Sequence, residues 1–242
     1  MRKGFIYICQ MQIEVIYDDD FFTIVNKPNN VLIHNSYYAR NIKDKTLLQL
    51  LFDQTEEIFY PVHRLDRKTS GVLLLAKKKE NVAVLQSLFN SNEISKIYFG
   101  IVRGFVKEEK LIKSPVKNPD TGVYKEAETS CIPVLSKELP IAVHPYKNSR
   151  YSLVKLIPQT GRMHQLRIHM NKISHPIVGD YKYGDRFHNR NFENNFNCHH
   201  MFLHAQELEF THPFTNNNII VKALFPEDWL KIFGEFNWEL NL

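Results

Sequence analysis

The sequence predicts an α+β fold with a mainly antiparallel mixed sheet that is flanked by helices and loops. Two observations lead to this class. Strand-like segments follow one another with only turns between them, as in antiparallel pairing, and helix-like segments are interspersed without a regular strand–helix alternation. The chain has 242 residues, of which 43% are hydrophobic and 24% charged. These values are ordinary for a globular protein.

The first third of the chain predicts strands and two helices. IEVIY (13–17) and FFTIVNK (21–27) are two short strands joined by an acidic turn. KTLLQLLFDQ (45–54) and KENVAVLQSLFNSNE (79–93) place apolar residues at helical spacing and predict helices. GVLLLAK (71–77) is an aliphatic run too short for a buried helix, so we expect a central strand.

The rest of the chain is predicted to be richer in strands and loops. ISKIYFGIVRG (94–104) and YSLVKLIPQTGR (151–162) indicate strands, the second ending in a turn. Between them, residues 107–150 lose periodicity, and only AETSCIPVL (127–135) is predicted as a strand between loops. After this, MHQLRIHMNKI (163–173) is predicted to begin a helix and HPIVGDYKYGD (175–185) to be a shaped loop. MFLHAQELEFTHP (201–213) and IIVKALFP (219–226) are predicted to form a hairpin. EDWLKIFGEF (227–236) is predicted to be the closing helix.

Composition favours a cytoplasmic protein with an anionic partner. Thirty-one Lys and Arg against 26 Asp and Glu give a net charge of +5. Cys9, Cys131 and Cys198 are odd in number and widely spaced, so no disulfide framework is expected. No stretch is long enough to span a bilayer. Residues 1–11 are expected to be an extension or a misassigned start, and residues 12–242 a single domain.

The segment HRLDRKTSG (63–71) sets one carboxylate, Asp66, between Arg64 and Arg67, just before the aliphatic strand. A salt bridge on a loop is the plain interpretation. A carboxylate kept ionised for chemistry on an anionic substrate is the alternative, since a carboxylate beside apolar walls must be paired or hydrogen-bonded. The residues alone leave both interpretations open.

A second group, TGRMHQLRIH (160–169), crowds Arg162, His164, Arg167 and His169 into eight positions. In a helix, His164 and Arg167 share a face. The group is either an anion-binding site or a solvated basic face. Tyr98, by itself, is more typical of a core residue with a hydrated hydroxyl.

Metal and nucleotide-cofactor sites lack support. CHHMFLH (198–204) contains Cys198, His199, His200 and His204, but no second pair has zinc-finger spacing, so no metal is expected. The sequence contains no GxGxxG, P-loop or GxSxG motif.

Taken together, several segments resemble the large-ribosomal-subunit pseudouridine synthase A family, in that family's order. The resemblance covers about residues 12–238, and it is closer still to a tRNA-modifying branch that lacks an N-terminal S4 RNA-binding domain. The segments are IYDDDFFTIVNKPNNVLIH, HRLDRKTSG, SKIYFGIVRG, TGRMHQLRIHM, HPIVGDYKYGD and FLHAQELEFTHP, with VLIHNSYYARN and DWLKIFGEFNW for the branch.

The resemblance implies the pseudouridine synthase fold, with a catalytic cleft across the sheet, and isomerisation of uridine to pseudouridine in RNA without a cofactor. It makes Asp66 the catalytic residue, as nucleophile or base, with Arg167 as its partner. Tyr98 would stack on the base, and its hydroxyl would help to remove the C5 proton. The residues expected to bind substrate are His63, Arg64, Leu65, Arg162, His164 and Gln165.

The expected substrate is tRNA, at uridine 65 of the T stem, and the expected state is a monomer without a membrane or metal partner. Two alternatives stay open. One is the same reaction on ribosomal RNA or another tRNA position, because short motifs do not report RNA shape. The other is a non-catalytic RNA-binding protein of the same fold. A glycosidase would need a second positioned carboxylate, which no motif supplies.

Overall fold

The computed structural model describes residues 11–35, 44–91, 93–118 and 120–240. The predicted extension, apart from Met11, lies outside these ranges, as do residues 36–41 of the motif VLIHNSYYARN. Within the described ranges, no helix is both long enough and apolar enough to cross a bilayer.

Twelve strands and five helices are described. The strands are β1 (Glu14–Asp18), β2 (Phe22–Lys27), β3 (Tyr60–Pro61), β4 (Ser70–Ala76), β5 (Ser95–Arg103), β6 (Lys110–Lys113), β7 (Val116–Lys117), β8 (Tyr124–Lys125), β9 (Glu128–Leu139), β10 (Ser149–Pro158), β11 (Leu203–Thr211) and β12 (Asn218–Lys222). The helices are α1 (Leu47–Thr55), α2 (Asn81–Asn90), α3 (Gln165–Lys172), α4 (Arg186–Phe196) and α5 (Glu227–Phe236).

Ten of these strands form one sheet, in the order β1-β2-β4-β11-β5-β10-β9-β6, with β3 paired to β4 and β12 to β11. Strands β7 and β8 form a separate two-stranded ribbon. Neighbours in the large sheet are antiparallel except β4 and β11, which run parallel. The predicted α+β class with a mainly antiparallel mixed sheet is therefore confirmed.

Helices cover both faces of the sheet because strand side chains alternate between the faces. In β4, Val72 and Leu74 lie in the cluster that contains Leu85 of α2, whereas Leu73 and Leu75 lie with Leu47 and Leu51 of α1. In β5, Ile101 packs with α4 and α5, and Val102 packs with α3. The aliphatic run of β4 is thus fully buried, as its length and composition predict.

Two regions differ from the prediction. Residues 107–150, predicted to hold one strand between loops, contain β6 to β9 and the start of β10. Half-buried and buried residues alternate there at the start of β9, from Glu128 to Cys131, because the pairing is antiparallel with one side exposed. Helix α4 was not predicted because its sequence, RFHNRNFENNF, is rich in asparagine, a weak helix former. Asp185 caps it by accepting hydrogen bonds from the backbone N–H groups of Phe187 and His188.

The parallel contact between β4 and β11 is short and leaves an opening in the sheet. It consists of the pairs Ser70–His204 and Gly71–Ala205. Gly71 has a φ of 110°, and a Cβ added there would lie 2.1 Å from the carbonyl oxygen of Ala205. Glycine is therefore required for this close approach. Beyond these pairs, the same edge of β4 is occupied by His63 and by β3.

Candidate active site

The segment 62–69 enters this opening and is held by a buried lysine. Lys27, at the end of β2, is fully buried, and its Nζ donates to the carbonyl oxygens of Pro28, Val31 and Arg67 at 2.8, 2.9 and 3.0 Å. Burial lowers the pKa of Lys27 to about 7, although the nearby charge of Asp66 acts in the opposite direction. This lysine ties the turn after β2 to the loop that contains Asp66.

Asp66 meets Arg167 across 101 residues of sequence. Nη1 of Arg167 donates to Oδ2 of Asp66 at 2.9 Å, and the Asp66 side chain is 17% exposed. Neither neighbouring arginine forms an ion pair with Asp66 among the described residues: Arg64 is exposed, and Nε of Arg67 donates to the carbonyl oxygen of Asn30. The plain interpretation of a local salt bridge is therefore wrong.

A second carboxylate, Asp180, holds Arg167 from its other side. Nε and Nη2 of Arg167 donate to Asp180 at 2.7 and 2.8 Å, in a bidentate pair, and Asp180 is 1% exposed. Oδ1 of Asp180 also accepts from the backbone N–H groups of Lys182 and Tyr183. Burial opposes the charged form of both Asp180 and Arg167. The hydrogen bonds nevertheless lower the pKa of Asp180, and the two carboxylates, Asp180 more than Asp66, raise the pKa of Arg167. Both members of the pair are therefore charged at neutral pH.

Tyr183 joins this ion pair to His164. Its ring lies 5.1 Å from the guanidinium carbon of Arg167, and its hydroxyl is 3.0 Å from Nδ1 of His164. His164 precedes α3 with a φ of 58°, which turns its Nε2 to within 3.8 Å of Oδ2 of Asp66. Burial lowers the pKa of His164 despite the opposing charge of Asp66, so this imidazole is neutral at pH 7.

The turn before α3 is fixed by Gln165. Its Oε1 accepts from the Thr160 hydroxyl and the Arg162 backbone N–H, and its Nε2 donates to the carbonyl oxygen of Glu128 and the hydroxyl of Thr129. These bonds leave Gln165 4% exposed, so it shapes the turn. Substrate contact by this residue stays a prediction.

A cavity of about 340 Å³ opens beside Asp66, large enough for a small organic group. Leu65, Asp66, Tyr98, Arg162 and Arg167 lie in its wall, together with Arg64, His164 and Gln165. Burial, and then the charge of Asp66, raise the pKa of Tyr98, so its phenol stays protonated at neutral pH. Oδ1 of Asp66 has no hydrogen-bond partner among the described residues and is the carboxylate oxygen left for a ligand.

His63 and His169 have other partners. Nε2 of His63 accepts from the backbone N–H of Leu74, and its ring stacks on Phe89 at 4.3 Å. His63 borders a neighbouring cavity, not the one beside Asp66. His169 is fully buried between the Thr129 hydroxyl and the carbonyl oxygen of Ser114.

The cysteine and histidines of CHHMFLH are also dispersed. Cys198 is buried and donates to the carbonyl oxygen of Phe196, His200 pairs with Asp228, and His204 bonds Ser70. In the part of the chain that the structure describes, no three His, Cys, Asp or Glu residues come together as a metal site.

Sequence reasoning did not single out Asp180. Its segment, HPIVGDYKYGD, is predicted to be a shaped loop and belongs to the family resemblance, but neither gives Asp180 a role. The segment does form a loop, with Asp180 directly after Gly179. The available signal was an acidic residue between two glycine-containing turns, which is too common to identify a partner for Arg167.

Comparison with known proteins identifies the family. A family model described as RNA pseudouridylate synthase matches residues 22–172. The tRNA pseudouridine synthase C of Vibrio parahaemolyticus is 37% identical over 96% of this chain and 98% of its own, and that of Pasteurella multocida is 39% identical over 96% and 99%. The chain belongs to the RNA pseudouridylate synthase family.

Two solved human structures share the fold. RNA Pseudouridylate Synthase Domain Containing 1 superposes with a TM-score of 0.69 at 26% identity, covering 89% of this chain and 84% of the other. RNA Pseudouridylate Synthase Domain Containing 4 gives 0.70 at 22% identity, with 94% of each chain covered. The predicted family, the pseudouridine synthase fold and the isomerase activity on RNA are confirmed.

Proposed function

We propose that this enzyme converts a uridine of tRNA, uridine 65 in the T stem, to pseudouridine, with Asp66 as the catalytic residue. The observation that supports it is the Asp66–Arg167 contact beside a cavity of nucleoside scale. The tRNA substrate is supported by relatives named tRNA pseudouridine synthase C that align over nearly the whole chain.

In this proposal, Oδ1 of Asp66, which has no partner among the described residues, attacks the ribose or removes a ribose proton while the N1–C1′ bond breaks. The detached uracil rotates and C5 bonds to C1′; in this step the bond between Asp66 and the ribose breaks, or Asp66 returns the proton it took from the ribose. N1 gains a proton and C5 loses one. Arg167 keeps Asp66 oriented throughout, because Asp180 fixes the other edge of its guanidinium. Tyr98 is the wall against which the base stacks. Its phenol is protonated, so it can accept the C5 proton only by passing its own proton on.

The target base must leave its helix to reach Asp66, at a cost of a few kcal/mol. Arg64 is exposed at the mouth of the same cavity and is the residue proposed to occupy the vacated position. Arg162, which also lines this cavity, would contact the phosphate backbone.

Mapping of pseudouridine by carbodiimide-dependent sequencing, in cells with and without the gene, tests the substrate. We expect loss of a single T-stem site in tRNA, restored by the wild-type gene and not by Asp66→Asn. Loss confined to ribosomal RNA would overturn the tRNA assignment but keep the chemistry. Unchanged pseudouridine at every site would overturn the proposed function.

A further inference from the structure

A second cavity, of about 540 Å³, lies directly beside the one that contains Asp66. The two cavities share Arg64, Tyr98 and residues 160–162 in their walls. The remaining wall of the second cavity comes from Val62 and His63, from α2 and from Lys96 of β5. Lys96 and Tyr98 are two residues apart in the strand, so both side chains lie on the same side of it. A ligand that fills the first cavity can therefore continue into the second.

The wall of the second cavity is positively charged. It contains Arg64, Lys96 and Arg162 and, among the described residues, no carboxylate. His63 does not change this balance, because burial lowers its pKa to about 3 and leaves it neutral. The three cations therefore favour an anion in the space between them.

These cations are not neutralised elsewhere in the described structure. Lys96 is half-buried, and Glu93 and Glu209, which border a separate cavity also lined by Lys96, form no ion pair with it. Burial lowers the pKa of Lys96, and no carboxylate opposes that effect. Arg162 donates from Nε to a backbone carbonyl, that of Glu126. A half-buried lysine without a counter-ion is costly for the free protein, and a phosphate would supply the missing charge.

The α2 side of the cavity offers groups that recognise a base. Gln86 and Asn90 are four residues apart on one face of α2, and both are exposed. Their amides have no partner among the described residues, and each amide provides both donors and an acceptor, the combination that reads base edges. Phe89 lies between them in sequence and packs against His63, which fixes this face of the helix.

We propose that the second cavity binds the nucleotide next to the target uridine in the same RNA strand. Its phosphate lies beside Lys96 and Arg162, and its base meets Gln86 and Asn90. This inference rests on the proposed function, in that it needs a uridine of RNA held at Asp66. It adds Lys96, Gln86 and Asn90 to the substrate-binding residues and makes α2 the element that senses the neighbouring base.

The phosphate contact is tested with Lys96→Gln on a T-arm RNA, measuring kcat and KM across a salt series. We expect KM to rise about tenfold with kcat retained, and the slope of log(kcat/KM) against log[salt] to fall by about 0.7 to 0.9, the value of one lost phosphate contact. Lys96→Arg should restore the slope. Lys147→Gln, in the β9–β10 turn at the far end of β10, is the matched control and should leave the slope unchanged.

The outcomes separate the two proposals. If wild-type protein makes no pseudouridine in this RNA, the proposed substrate fails before the cavity is tested. If wild-type protein is active and Lys96→Gln keeps both its KM and its salt slope, the inference is overturned. Equal losses in Lys96→Gln and Lys96→Arg, or in Lys147→Gln, would also overturn it, because packing or general charge would then be the cause.

The base contact has its own readout. Wild-type protein should discriminate among T-arm RNAs that differ at the nucleotides flanking the target, by about tenfold in kcat/KM. Gln86→Ala combined with Asn90→Ala should abolish that preference while the salt slope stays at the wild-type value. A preference that survives in the double variant contradicts the assignment of α2.

Discussion

Arg167 lies between two carboxylates whose surroundings differ sharply. Asp180 is 1% exposed and accepts four hydrogen bonds, two from Arg167 and two from backbone N–H groups. Asp66 is 17% exposed and accepts one, from Arg167, with Oδ1 facing no protein donor among the described residues. The same guanidinium therefore binds one carboxylate that has donors on both oxygens and one that has an oxygen left without a donor among the described residues.

This difference assigns the orienting role to Asp180 and the chemical role to Asp66. A buried carboxylate with hydrogen-bond donors on both oxygens is a poor nucleophile or base, but it is a rigid support. A carboxylate with one oxygen free beside a cavity can react. Arg167 transmits the rigidity of the first to the second, because its planar group cannot rotate while Asp180 holds two of its nitrogens.

The largest expected effect is on turnover, with Asp66→Asn. Replacing the carboxylate with a neutral amide should lower kcat by roughly 10⁴-fold or more, as for other essential groups. Stability should change by less than about 1 kcal/mol, because Arg167 keeps its buried partner. Single-turnover assays with RNA binding measured in parallel test this. If Asp66→Asn keeps turnover within tenfold of wild type, Asp66 is not the reacting carboxylate.

The next effect is on stability, with Asp180→Asn. This change leaves Arg167 charged, buried and held by Asp66 alone, so the free energy of unfolding should fall by about 3 kcal/mol. The loosened guanidinium should also lower kcat by about 10²-fold. Urea unfolding measures the change in the free energy of unfolding, and steady-state kinetics measures the change in kcat. A stability change as small as that of Asp66→Asn would contradict the supporting role.

The dependence of stability on pH gives a second test of the supporting role of Asp180. The pKa of Asp180 is lowered in the folded protein, so its contribution to stability is present above the ordinary carboxyl range and is lost as pH falls through the lowered value. The stability gap between wild type and Asp180→Asn should be constant above about pH 5 and narrow below about pH 4. A gap that stays constant down to pH 2 would show that ionisation of Asp180 is not its source.

The smallest expected effect is that of Tyr183→Phe. The change removes the hydroxyl beside His164 and keeps the ring over Arg167, so kcat/KM should fall only about threefold, the worth of one hydrogen bond. Tyr183→Leu, which removes the ring as well, should cost more. Equal losses in the two variants would show that the ring contributes nothing to holding Arg167.

Sequence predicted β4 from the length of its aliphatic run and predicted α5 as the closing helix, because a single burial pattern determines each of them. It also predicted Asp66 and Arg167, through the family resemblance and not through spacing, since 101 residues separate them. Asp180 was missed because its importance lies in its contact with Arg167, which is made only after α3 and the loop at 175–185 have come together. Helix α4 was missed because its buried polar residues, such as Asn189 and Asn191, obscure the apolar periodicity.

Lys27 has a consequence for how the enzyme meets its substrate. Its three bonds to carbonyl oxygens bind the turn after β2 to the loop of Asp66 from within, so that loop is ordered when the chain folds. The entropy of fixing it is lost once, at folding, and not again with each RNA that arrives. Binding energy from the RNA is then left for drawing the uridine out of its helix.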